Sequence, residues 1–278
     1  NPTLSKVING PAHMGRAVYD TYQEGSCNPT AVDILSVADC NGDPDCAGLE
    51  LVAGARIYSI DLDPNDGDGY QIKTQRDLNQ IAPGNNYADG YTAVADMDLD
   101  GLLDVVVSAK RGNNIMGVYV WNKNGLLRFL PYPNPNIRSG SLACIANLYD
   151  DRTAGFARDL PEIVVCNAYN LNCFNLQAAQ LTPATPYWWS LVTKDFSGFT
   201  GSTTYDFNGD GIFELVYRDE DNFRILYGGA APFPPGVDAE RNWYKLPCGS
   251  ITSDEYPVVA DVDNDGETEI AVTGYIHA

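Results

Sequence analysis

Residues 93–109 read AVADMDLDGLLDVVVSA: a short apolar strand, an Asp-rich turn, and a return into β-branched residues. The pattern recurs without a gap as STTYDFNGDGIFELVYR from Ser202 and as VVADVDNDGETEIAVTG from Val258. Val and Ile fit a pleated, half-buried surface, while Asp, Asn and Gly supply the turn. Each copy therefore predicts two antiparallel strands joined by an acidic loop.

Two interrupted copies extend the series. SVADCNGDPDCAGLELVAG from Ser36 carries Asp39, Asn41, Asp43 and Glu50 around an insertion, and CIANLYDDRTAGFARDLPEIVVCN from Cys144 carries Asn147 and Glu162 around a longer one. Taking the first polar turn residue as marker gives positions 39, 96, 147, 206 and 261, separated by 57, 51, 59 and 55 residues. Between the turns lie ARIYSIDL, GVYVWNKNG, LNCFNLQ and NFRILYGG, apolar and aromatic runs edged by turn residues, and no stretch offers a capped amphipathic helix. A unit of this length holds about four short strands and cannot bury both faces alone, so several units must pack together. The expectation is one all-β region over residues 1–278: a β-propeller of four-stranded antiparallel blades. Only five turns are present and the fifth is followed closely by Ala278, so the ring is expected to be incomplete or trimmed and part of a larger polypeptide. The run from Gly15 to Asp20 and AVDILSVAD from Ala31 are the candidate closing strands.

The loops carry the chemistry. Counting from the first Asp, the first complete loop offers oxygen at positions one, three, five, seven and nine: Asp96, Asp98, Asp100, the Leu102 carbonyl and Asp104. The second offers Asp206, Asn208, Asp210, the Ile212 carbonyl and Glu214, and the third Asp261, Asp263, Asp265, the Glu267 carbonyl and Glu269. Gly101, Gly211 and Gly266 occupy the bend, where a left-handed backbone is easiest for glycine. Five oxygens around a tight turn suit a hard cation with irregular coordination, which favours calcium over magnesium. Three calcium sites are expected, and up to five if the interrupted turns also bind. Asp39, Asn41, Asp43 and Glu50 form a weaker candidate site; for Asn147 with Asp150, Asp151, Asp159 and Glu162 no ligand set can be chosen. DLDPNDGDG from Asp61 to Gly69 reads as an acidic solvent-facing turn.

These nine-position loops resemble the FG-GAP and VCBS repeat family, whose calcium-binding blades also occur in the integrin α-subunit propeller. The resemblance extends through five copies and implies a propeller with metal loops between the first and second strands of its blades, commonly seven to a ring. It implies the side-chain ligands named above for the three complete loops. The phrasing of GFTGSTTYDFNGDGIFELVYRDEDNFRILYGG and EYPVVADVDNDGETEIAVTG is also similar to repeat regions of large secreted surface proteins of Bacteroidetes-type bacteria. That likeness implies a secreted or cell-surface setting, often reached by type IX export.

Composition narrows the function classes. With 37 Asp and Glu against 17 Lys and Arg, the formal net charge of −20 repels nucleic acid and anionic membranes and attracts cations. No run approaches the roughly 18 apolar residues of a membrane span. The start NPTLSKVING has neither a basic leader nor an apolar segment, as a mature or trimmed product would not. Of the seven cysteines, Cys40 with Cys46 and Cys166 with Cys173 bracket short turns and are candidates for local disulfides. His13 and His277 lie near the ends, and no nucleophile triad, zinc set or phosphate loop emerges. The leading expectation is a calcium-stabilised binding or structural module in adhesion or surface assembly. Its partner would be a surface protein or glycan, or other subunits of a surface assembly. Seventeen Tyr, with Trp121, Trp188, Trp189 and Trp243, supply candidate recognition surfaces, foremost the Trp188–Trp189 pair. The alternative is a carbohydrate-active enzyme, such as a polysaccharide lyase or its accessory propeller.

Overall fold

The computed structural model describes residues 30–36, 38–42, 46–62, 65, 71–112, 115–134, 140–177, 187–229, 242–249 and 256–272. Strands dominate, and the described helical segments are single turns, among them α1 (Leu78–Ile81) and a 3-10 turn (Asp151–Ala154).

Sheet one contains β1 (Thr30–Val32), β2 (Glu50–Ala53), β3 (Arg56–Asp61) and β4 (Gln71–Asp77) in chain order. Sheet two repeats the plan with β5 (Tyr91–Ala95), β6 (Asp104–Arg111), β7 (Ile115–Asn122) and β8 (Gly125–Pro131). Sheet three has β9 (Cys144–Ala146), β10 (Glu162–Asn167), β11 (Asn170–Phe174) and β12 (Tyr187–Val192). Sheet four has β13 (Ser202–Tyr205), β14 (Glu214–Arg218), β15 (Asn222–Leu226) and β16 (Asn242–Pro247). Sheet five pairs β17 (Val258–Ala260) with β18 (Glu269–Ala271) among the described residues. Every sheet is an antiparallel meander, and every repeated turn read from the sequence joins the first strand of a sheet to its second.

The second strands of sheets two, three and four are sandwiched, which explains why they read as unbroken apolar runs rather than alternating ones. On β6, Val105 and Val107 face sheet one and pack with Val52, Ile57, Tyr119 and Trp121, while Val106 faces sheet three beside Ile163, Val165 and Phe174. On β10, Ile163 and Val165 face sheet two, and Val164 and Cys166 face sheet four beside Leu215 and Tyr217. Val216 turns the other way, toward Val259 and Ile270 of sheet five. Among the described residues the core is thus a row of four apolar layers, each shared by two successive sheets. Full burial of one such aliphatic side chain contributes about 1.5–3 kcal/mol. First strands of successive sheets also approach one another: β1 meets β5, β9 meets β13, and β13 meets β17.

Candidate metal centre

The residue following β5, β13 and β17 is in each case the first aspartate of a nine-position loop: Asp96, Asp206 and Asp261. Four hydrogen bonds then recur in all three loops. The fifth-position N–H donates to one oxygen of the first aspartate at 3.1 Å in each loop, from Asp100, Asp210 and Asp265. The glycine N–H donates to its other oxygen at 2.9, 2.9 and 3.0 Å, from Gly101, Gly211 and Gly266. Leu102, Ile212 and Glu267 each donate to the fifth-position carboxylate at 2.8 Å. Met97, Phe207 and Val262 each donate to the closing carboxylate, Asp104, Glu214 or Glu269, at 2.8, 3.0 and 2.9 Å.

The backbone explains part of the composition. Gly101, Gly211 and Gly266 have φ of +89°, +86° and +91°, as their role in the bend requires. The fourth position is left-handed too, at Leu99 (+53°), Gly209 (+72°) and Asn264 (+62°). Glycine and asparagine tolerate that conformation, but leucine is strained there. Sequence reasoning recognised the sixth position and missed the fourth, although Gly209 and Asn264 carried the signal.

These loops gather negative charge. Carboxylate oxygens of Asp96, Asp98 and Asp104 lie within 4.8 Å of one another, as do those of Asp261, Asp263 and Asp265. Asp104 is wholly buried, and burial pushes its pKa up to about 6 against the opposing hydrogen bonds from Met97 N–H and Asn122. Burial also raises Asp98, with the neighbouring Asp100 and Asp96 adding to it, and raises Glu214. In sheet four Asn208 lowers the charge, and its Nδ2 lies 3.5 Å from Glu214 Oε1. Among the described residues, no lysine or arginine forms a salt bridge with any of these loop carboxylates. Crowded oxygens on a tight loop fit a hard divalent cation, which would offset their mutual repulsion.

The interrupted turns keep the closing contact. In sheet one Glu50 Oε2 accepts from Ile34 N–H at 2.8 Å and Leu35 N–H at 2.9 Å, and the residue directly after β1 is Asp33. Asp39 lies six residues farther along, where its carboxylate accepts from Lys123 Nζ at 2.7 Å and from Ser36. The Lys123 ammonium holds that carboxyl far below the usual range. Asn41 is exposed, and Asp43 lies outside the described residues. In sheet three Glu162 Oε2 accepts from Leu148 N–H at 2.8 Å and Tyr149 N–H at 3.2 Å, giving Asn147 and Glu162 the first and closing places.

Two asparagines that the sequence reading did not single out brace these carboxylates. Asn122 Nδ2 donates to Asp104 Oδ1 at 2.9 Å, and Asn175 Nδ2 donates to Glu162 Oε1 at 2.8 Å. Each Oδ1 accepts the N–H two residues on, from Asn124 or Gln177, which fixes the amide orientation. Their shared signal is an asparagine at or just past the end of the third strand, in VYVWNKNG and LNCFNLQ.

Other expectations divide. Cys40 and Cys46 form the expected disulfide, with an S–S distance of 2.00 Å. Cys166 and Cys173 do not bond to each other, and both are buried. Cys166 pairs across the ladder with Leu171, whereas Cys173 pairs with Val164, so the two are offset along the hairpin. The Cys166 thiol instead bonds to Asp195 Oδ2 at 3.0 Å. Trp121 and Trp189 are core residues, Trp243 is exposed, and the side chain of Trp188 lies outside the described set. His13, His277, the run from Gly15 to Asp20 and most of the run from Asp61 to Gly69 are likewise outside it. No described helix is long and apolar enough to cross a membrane.

No family model matches the chain, and no curated protein does. Among solved structures, the chain is similar to the V. cholerae biofilm matrix protein Bap1, at 13% identity and a TM-score of 0.51, over 90% of this chain and 66% of that one.

Proposed function

We propose that this chain is a calcium-stabilised module of the cell exterior, built on propeller blades and serving adhesion or surface assembly through a glycan or protein partner. The observation that carries the reading is the shared geometry of the three nine-position loops. Four hydrogen bonds agree to within 0.2 Å across the loops, while their carboxylates have no salt-bridge partner among the described residues. Loops shaped by independent drift would share neither the bonds nor the unbalanced charge. Contacts between successive first strands and the row of shared core layers support a radial arrangement of blades. The likeness to a biofilm matrix protein supports the extracellular role.

Calcium would bind Asp96, Asp98, Asp100 and Asp104, then Asp206, Asn208, Asp210 and Glu214, then Asp261, Asp263, Asp265 and Glu269, together with the carbonyls of Leu102, Ile212 and Glu267. Each ion would tie the first strand of a sheet to its second, so binding energy becomes folding energy. The test is thermal unfolding at fixed ionic strength in millimolar calcium and in excess chelator, with bound ions counted. A rise of about 10 °C or more with at least three ions is expected. Absence of both binding and shift would leave the loops as acidic turns and end this reading.

A further inference from the structure

The interrupted turn of sheet three buries more acid than any nine-position loop. Asp151 and Glu162 have no exposed surface, and Asn175 Nδ2 reaches both, at 2.8 Å from Asp151 Oδ2 and 2.8 Å from Glu162 Oε1. Gln177 Nε2 and Leu160 N–H also donate to Asp151 Oδ2, at 2.8 and 3.1 Å. Three donors thus converge on one oxygen of Asp151. Its other oxygen, Oδ1, is buried and accepts no hydrogen bond.

Asn147 repeats that imbalance. Its Nδ2 donates to Asp159 Oδ2 at 3.2 Å, which fixes the amide and leaves Oδ1, also buried, without a donor. The nearby Arg152 guanidinium is spent on the other acids: it pairs with Asp150 at 2.6 Å and Asp159 at 3.5 Å, on a side chain 63% exposed. Two buried carboxylates and two donorless buried oxygens therefore remain in a turn closed like the metal loops. Leaving such acceptors without donor, proton or cation is costly.

We propose that Asn147, Asp151 and Glu162 form a fourth divalent-cation site, with Asn147 Oδ1 and Asp151 Oδ1 as ligands. The inference rests on the calcium reading of the nine-position loops but uses a different ligand set, because Asp151 comes from the inserted 3-10 turn. Both ligand atoms are hard oxygens, and the Glu162 carboxylate beside them adds negative charge, which selects calcium or magnesium over softer metals. With fewer protein oxygens than the nine-position loops offer, this ion retains more water and binds more weakly. Asn175 and Gln177 act as positioning residues, holding Asp151 Oδ2 so that Oδ1 faces away from them.

The test uses the whole chain with calcium as the probe. Bound calcium is counted for the native chain and for Asp151→Asn, and crystals grown in calcium are searched for anomalous density between Asn147 and Asp151. Loss of one ion in the variant, with the other ions retained and density at this turn in the native chain, is the expected result. If Asp151→Asn does not fold, Asn147→Ala, at a partly exposed residue, replaces it. Equal counts or no density at this turn overturn the fourth site while leaving the nine-position loops intact. No calcium anywhere overturns the reading on which it rests.

Discussion

Sheets two and five contain the same loop in opposite surroundings. The four hydrogen bonds of residues 96–104 and 261–269 match closely, yet Asp104, Val105 and Val106 are wholly buried, while Val258 is 53% exposed and Glu269 and Ile270 are half-buried. Sheet two has four strands and a packed neighbour on each side; among the described residues, sheet five has two strands and one such neighbour. Loop conformation is therefore a local property of nine residues, whereas burial depends on what stands next to the sheet.

The sharpest way to break the comparison is in the core. Trp121→Ala should cost about 3–5 kcal/mol, because it opens a cavity in the layer between sheets one and two and strands the Gly54 carbonyl that accepts from Trp121 Nε1. Ile270→Ala in sheet five should cost roughly 1 kcal/mol, since its side chain is already half in water. Denaturant unfolding of both variants checks the contrast, and equal losses would contradict the layered account.

A pH series without calcium gives the next effect. The folded pKa of Asp104, about 6, lies above the ordinary 3.8, so the folded chain holds this proton more firmly than the unfolded one. Its contribution is present below pH 4 and is lost as pH rises through 6, on the order of 3 kcal/mol in all. Asp104→Asn should flatten that part of the profile. Calcium should flatten it as well, by favouring the ionised form.

Smaller effects test locality. Gly101→Ala and Gly266→Ala should each cost about 1 kcal/mol, and by similar amounts despite their different surroundings, because the penalty lies in φ. Leu99→Asn should be neutral or stabilise by up to about 1 kcal/mol, as it places at the fourth position the residue that sheet five already has there. Thermal melts resolve both, and a large difference between the two glycine variants would mean that neighbouring sheets shape the loop.

Much of this was legible in the residues. The spacing of the acidic turns located the first-to-second-strand connection of every sheet, since Asp, Gly and β-branched residues state their preferences over short distances. Insertions hid the rest. Asp39 resembles a first-position ligand in its local sequence, yet Asp33 is the residue that follows β1, and only the cross-strand reach of Glu50 to Ile34 reveals it. The distance between Cys166 and Cys173 along the chain suggested a bridge, but ladder register decides which side chains face one another. Asn122 and Asn175 were invisible because each acts on a carboxylate from a different strand.

The core layers carry a consequence for cooperativity. Each layer is shared by two successive sheets, so a defect in one is felt directly by only two units, as in a chain of nearest-neighbour couplings. Such a molecule unzips from its weakest coupling rather than melting as one block. Among the described residues the layer between sheets four and five has three buried members, Val216, Phe223 and Cys248, so a cavity cut there should loosen sheets four and five and leave the layer between sheets one and two in place.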